Sequence, residues 1–406
     1  MSPAGKAAHR CTRPSWRGQN IYRPLFASQP SITSGCSTAP ESLQISTNKI
    51  KSMASTNRFV PEGAAGSTSE SFGSAVTIGV GVQLKELYVA ATKHNVTVVA
   101  GVAHTVGAGG GYIQGGGHSP LGNWKEMASV NALEFKVVNA KGGLVTANNY
   151  KNKDLFWALR GGGGGTFGVV VSVTISTFPD VPSGFVSFGF DMARAFHAHL
   201  PSVSAAGGAG YYGISSVPSD TNGAKVLELT GGFGFLNLSE EVIQKAVAPV
   251  VAEVNRYAGR GSGYNVSITR RVSNYILGLL RGEADDTGGI AVAGSRVVVA
   301  GGAAADTAID SALNPSWRKT ATHIIFGAGW NSTTPADEIR AIQEELTNVK
   351  VEKLRVLEPH MGAYLNEDFQ KSFGGGELRQ AVQGEAGCGS GQFVHCAQGS
   401  GQRELG

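Results

Sequence analysis

The body of this sequence lacks cysteine. Its four cysteines, Cys11, Cys36, Cys388 and Cys396, all lie in the terminal segments, so no disulfide staples a central core. Cys388 and Cys396 either close a small Gly-rich loop or stay free, and no C-x-x-C spacing occurs, so no metal is expected. Charge is scarce as well, at 16% against 41% hydrophobic residues. Residues 1–36 hold Lys6, Arg10, Arg13, Arg17 and Arg23 with no acid, so the formal +4 of the chain leaves the remainder near −1. A near-neutral body has no basic face for phosphate backbones, which argues against nucleic acid as a partner. No uncharged apolar run reaches the roughly 18 residues of a membrane span; glycines interrupt the longest candidates.

The first 36 residues show no periodicity and are expected to be a disordered tail. They have no continuous apolar stretch of a secretory signal, and their basic, acid-free composition also matches a transit peptide. Four N-x-[ST] sequons, at Asn95, Asn237, Asn265 and Asn331, fit a secretory ancestry. The compartment and the oligomeric state stay open at this point. At 406 residues the chain is long enough for a sizeable core and two domains.

What the sequence has in excess is glycine, 58 residues, about twice the usual share. Two blocks stand out: Thr105-Val-Gly-Ala-Gly-Gly-Gly-Tyr-Ile-Gln-Gly-Gly-Gly-His-Ser119 and Asp154-Leu-Phe-Trp-Ala-Leu-Arg-Gly-Gly-Gly-Gly-Gly-Thr-Phe-Gly168. Backbone without Cβ atoms approaches a flat or phosphorylated ligand closely and reaches positive φ. Neither block fits the Rossmann fingerprint, since Tyr112 and Thr166 stand where a third glycine belongs, and no G-x-x-x-x-G-K-[ST] occurs.

Between and after the blocks lie Asn131-Ala-Leu-Glu-Phe-Lys-Val-Val-Asn139 and Gly362-Ala-Tyr-Leu-Asn-Glu367. These four segments, in this order, resemble the flavin loop, strand and C-terminal motifs of the berberine-bridge-type FAD-linked oxidases of the vanillyl-alcohol-oxidase (PCMH-type) superfamily. The resemblance implies an α+β fold: a PCMH-type FAD-binding domain with a truncated N-terminal lobe, and a substrate domain of antiparallel sheet covered by helices. It implies FAD as cofactor, a small-molecule substrate and O2 as partners, and hydride transfer from an alcohol, sugar or secondary metabolite to flavin N5. Cofactor contacts are then expected from Thr105, Val106, Gly107, Ala108, Gly109, Gly110, Gly111, Tyr112, Gln114, Gly115, Gly116, Gly117, His118 and Ser119, with Gly168 and Val169 near the adenosine end. Tyr364 is the expected base, with Asn366 orienting flavin or substrate.

The pattern predicts strands over Ala75–Val82, Val96–Ala100, Glu134–Val138, Leu144–Thr146, Val169–Ile175, Lys225–Thr230 and His323–Phe326. Helices are expected over Gln83–Asn95, with Leu84, Leu87, Tyr88 and Ala91 on its apolar face, and over Asp154–Arg160, Leu238–Tyr257 and Pro335–Leu346. The expected domains are a tail (1–36), a partial FAD-binding domain (37–180), a substrate domain (181–348), a return to the FAD domain (349–373) and a Gly/Gln-rich disordered tail (374–406).

The sequence departs from that family in four places. The segment Ser31-Ile-Thr-Ser-Gly-Cys36 holds no histidine where the family attaches flavin, and Ala103, followed by His104, stands at the second, cysteine attachment point. Glu126-Met-Ala-Ser-Val130-Asn131 replaces G-L-x-x-D-N, and the C-terminal element is missing. Any bound FAD is therefore expected to be noncovalent. Two readings follow: an FAD-dependent oxidoreductase, or a truncated relative that binds flavin weakly or not at all and has no activity.

Overall fold

The computed structural model describes residues 45–64, 71–164, 167–190, 193–218, 225–257, 263–269, 294–298, 302–305, 309–320, 322–326 and 333–345, with isolated positions between 348 and 362. Both expected tails, and Tyr364 and Asn366, lie outside the described residues.

A five-stranded antiparallel sheet is built from β1 (Met53–Thr56), β2 (Ala75–Gly79), β4 (Ala132–Val138), β5 (Leu144–Asn148) and β6 (Val169–Ser176), in the order β1-β2-β6-β4-β5. The middle strand β6 reads Val-Val-Val-Ser-Val-Thr-Ile-Ser, and Val170, Val173 and Ile175 are buried. That near-continuous apolar run suits a strand covered on both faces. Helix α1 (Leu84–Lys93) packs its expected face, Leu84, Leu87, Tyr88 and Ala91, into this core. Its start is fixed by a reciprocal cap, in which the Gln83 N–H donates to the Glu86 carboxylate at 2.8 Å.

The strand expected over Val96–Ala100 is only Val96–Thr97 (β3), paired with Phe178–Pro179 (β7). Val98, Val99 and Ala100 are buried, but a side chain replaces the ladder. The Ala100 carbonyl accepts from the Tyr88 hydroxyl at 2.6 Å and from Ser119 at 2.7 Å. Burial set the apolar run; the polar accounting broke the strand.

A six-stranded antiparallel sheet follows. It uses β8 (Ser183–Phe190), β9 (Ala209–Pro218), β10 (Lys225–Leu236), β11 (Gly263–Thr269), β12 (Gly294–Val298) and β13 (His323–Phe326), ordered β11-β8-β10-β9-β12-β13. Helices α5 (Ala193–Ala205) and α6 (Glu240–Tyr257) cover one face, where Phe196, Leu200, Val203, Ile243 and Val247 meet Tyr212, Leu229 and Phe233. A last helix, α7, spans Ala336–Glu345. The remaining short helices are α2 (Gly111–Gln114), α3 (Gly122–Lys125) and α4 (Lys153–Leu159). The fold is α+β, with each sheet antiparallel.

Candidate functional site

The first glycine block begins at the surface and dives into the core. Val102 to Gly107 are half-buried, and the main chain there is clamped from α1: Leu84 N–H donates to Val106 O at 2.9 Å and Gln83 Nε2 to Thr105 O at 3.2 Å. From Ala108 to Gly117 every residue is buried, α2 being a single turn inside the run. A Cβ on Gly109 would stand 3.1 Å from Val173 and 3.3 Å from Val80 Cα, so the loop lies flat on β2 and β6. Gly117 takes φ +69°, and the space its Cβ would need is filled by Ala128 and Tyr112. The Tyr112 hydroxyl in turn donates to the His118 carbonyl at 2.7 Å, fixing the loop's exit.

The second block meets the first through its main chain. Gly163 N–H donates to the Gln114 carbonyl at 2.8 Å. Gly161, at φ +117°, presses against Leu313, whose backbone nitrogen would lie 2.6 Å from an added Cβ. Leu313 also fills the space beside Gly116. Gly168 and Val169 are elsewhere: Val169 pairs with Val138, and it is four residues along β6 from Val173, roughly 13 Å. The structure thus joins Thr105–Ser119 to Gly161–Gly163 and sets Gly168 and Val169 apart. Gly165 and Thr166 lie outside the described residues.

The donors of the first block bear on whether FAD fits. The N–H groups of Val106, Ala108, Gly110, Gln114, Gly115 and Gly116 have main-chain acceptors. Those of the buried glycines Gly109, Gly111 and Gly117 have none among the described residues. Gly111 opens α2, where a helix always leaves its first N–H groups free. Buried N–H groups are otherwise paired almost without exception, so these three donors suit an acceptor-rich ligand such as a flavin or a diphosphate. The His104 Nε2, buried and without a partner among the described residues, adds a polar atom to the same loop. These residues fit FAD held by main-chain groups.

At its far end the block touches the second sheet. His118 Nδ1 lies 3.2 Å from the Tyr211 hydroxyl on β9. The His118 ring also lies 6.3 Å from the rings of both Trp317 and His323, which are themselves 5.4 Å apart. Burial, with His323 nearby, pushes the His118 pKa down to about 3. The imidazole is therefore neutral at working pH. Tyr211, Trp317 and His323 escaped the sequence reading. The available signal was the pair Tyr211-Tyr212: adjacent strand residues face opposite ways, and Tyr212 faces the helices, its hydroxyl 2.9 Å from His197 Nε2.

Among the described residues no group of three or more His, Cys, Asp or Glu could hold a metal, and no helix is long and apolar enough to cross a membrane.

An FAD-linked oxidoreductase of Arthroderma benhamiae is 39% identical over 395 residues, covering 84% of this chain and 66% of its own length. The FAD-linked oxidoreductase malF of Malbranchea aurantiaca is 32% identical over 389 residues, covering 84% and 65%. The chain is thus similar, over most of its own length, to FAD-linked oxidoreductases. It spans just under two thirds of the length of these two relatives. Among solved structures, the VAO-type flavoprotein MtVAO713 of Myceliophthora thermophila superposes with a TM-score of 0.77 at 23% identity, covering 89% of this chain and 73% of that one. A glucooligosaccharide oxidase of Acremonium strictum does so with 0.64 at 17% identity, covering 87% and 80%. The fold is therefore VAO-type. No protein-family model matches the chain.

One departure from the berberine-bridge pattern acquires a physical reading in this structure. Glu126, where that pattern has glycine, adopts φ +73° and ψ −179°, a region essentially reserved for glycine. Its carboxylate accepts from Arg318 Nη1, both side chains being only 9% exposed, and Arg318 also donates to Ala304 O at 3.0 Å.

Proposed function

We propose that this chain is an FAD-dependent oxidoreductase that binds FAD noncovalently and oxidises an alcohol, sugar or secondary metabolite, with O2 as electron acceptor. When bound, the flavin supplies the hydride acceptor at N5. The observation that carries the reading is that the N–H groups of buried Gly109, Gly111 and Gly117, all in the first glycine block, have no acceptors among the described residues.

In this reading Thr105–Ser119 hold the cofactor, the three N–H groups offering fixed dipoles to negative charge without reorganisation. Gly168 and Val169 serve the adenosine end. Residues 37–180 and 349–373 form the FAD-binding domain and 181–348 the substrate domain, between flanking tails. Tyr364 takes the substrate's proton and Asn366 orients flavin or substrate. Ala103 offers no nucleophile to the ring, and Ser31–Cys36 offer no histidine.

Purified chain should carry an absorbance band near 450 nm that passes wholly into the supernatant when the protein is precipitated with acid. A precipitate that keeps the band overturns noncovalent binding. A folded chain that takes up no FAD supports the second reading, an inactive relative, which the missing histidine and cysteine attachment points favour.

A further inference from the structure

We propose that Tyr211, on the second sheet, is a positioning residue for the cofactor loop, acting through His118. The inference rests on the reading that Thr105–Ser119 hold FAD.

The backbone of His118 is already fixed from one side, by the Tyr112 hydroxyl on its carbonyl at 2.7 Å. Gly117 leaves this residue no slack, since it is packed against Ala128 and Tyr112. The remaining freedom is the imidazole, and it reaches across to Tyr211 at 3.2 Å. That contact joins two sheets with separate cores: Tyr211 packs with Met127, Val130, Leu313 and Trp317, while its neighbour Tyr212 belongs to the core under α5 and α6. Leu313 in that same cluster is the side chain seated beside Gly116. Both ends of the Gly116–His118 turn are therefore set by residues outside the first sheet. A neutral His118, its pKa held near 3, can accept a hydrogen bond from the Tyr211 hydroxyl at Nδ1. The hydrogen bond persists across the working pH range, and it holds the Gly117 N–H in place.

The test measures FAD affinity by flavin fluorescence titration of the full chain, with thermal unfolding alongside. Tyr211→Phe removes one neutral hydrogen bond and should weaken FAD binding about 3- to 10-fold. His118→Ala should weaken it as well, and the double variant should be no weaker than His118→Ala. Phe196→Leu, in the core under α5 and α6, is the control: it should lower the unfolding temperature and leave FAD affinity within about twofold, since it touches neither block. Nitrogen-15 imidazole spectra of the cofactor-free chain should show the His118 Nδ1 resonance move in Tyr211→Phe. An unmoved resonance, an unchanged FAD affinity in Tyr211→Phe, or an equal loss in Phe196→Leu overturns the proposal. A wild-type chain that binds no FAD is a different result: it overturns the oxidoreductase reading, and this inference with it.

Discussion

Arg318 donates to the carboxylate of Glu126 at the seam between the two sheets, and Glu126 holds that position in a backbone conformation suited to glycine. Two costs, strain and buried charge, are tied together in one residue. Each is tolerable only while the ion pair stands.

Removing one partner should therefore be far worse than removing both. Arg318→Met leaves a buried carboxylate on a strained residue and should cost about 3 kcal/mol or more. Glu126→Gly combined with Arg318→Met relieves the strain and the charge together, and should lie within about 1–2 kcal/mol of wild type. Urea unfolding of the three proteins checks the order. A double variant less stable than Arg318→Met would contradict the strain argument.

Glycines that share a positive φ should differ sharply in what they tolerate. Gly142 takes φ +80° in the hairpin between β4 and β5, with nothing within 4 Å of an added Cβ. Gly142→Ala should cost about 1 kcal/mol, from backbone conformation alone. Gly161 at φ +117° faces Leu313 backbone atoms 2.5 and 2.6 Å from its missing Cβ. Gly161→Ala should be destabilising by several-fold more, measured as the shift in unfolding midpoint, because backbone cannot turn aside.

Acid should weaken the fold through His118. Its pKa is lowered in the folded chain to about 3 from the ordinary 6.5, so between those values the unfolded state binds a proton that the folded state refuses. Stability from this site is complete above pH 6.5 and lost as pH falls toward 3. The stability of wild type relative to His118→Gln should be constant from pH 7 to 9 and should decline below about 6.5. Urea midpoints across pH 4–9 give the comparison, and parallel curves would count against it.

Asn148 is fully buried and uses every polar atom. Its amide donates to Glu62 O at 2.9 Å and Glu134 Oε2 at 2.7 Å, while its oxygen accepts from the N–H groups of Tyr150 and Lys151, both at 2.8 Å. Asn148→Ala strands four partners and should cost about 2–4 kcal/mol. Asn148→Asp keeps the acceptors but sets a second carboxylate against Glu134, and should be no better. Thermal unfolding distinguishes both from wild type.

How far the sequence spoke for itself depended on which force shaped each part. Periodicity is local, so the buried face of α1 and the bounds of β13 were legible from spacing alone. The run Val96–Ala100 read as a strand because its residues are apolar, yet the Ala100 carbonyl is taken by Tyr88 and Ser119, which no local pattern announces. The first glycine block was visible because close backbone approach requires glycine there. Tyr211, Trp317 and His323 were not, since they come from separate stretches of the second sheet and its connections, and meet His118 only once both sheets are in place.

The bond from Gly163 to Gln114 has no side chain in it. A scan of substitutions, residue by residue, would pass over it, because every replacement short of proline keeps the same amide and carbonyl. Only a change in chain length between the two blocks, or an ester in place of the Gly163 amide, would report its worth. The coupling of the two blocks is thus a trait that this lineage can lose by insertion or deletion more readily than by drift in composition.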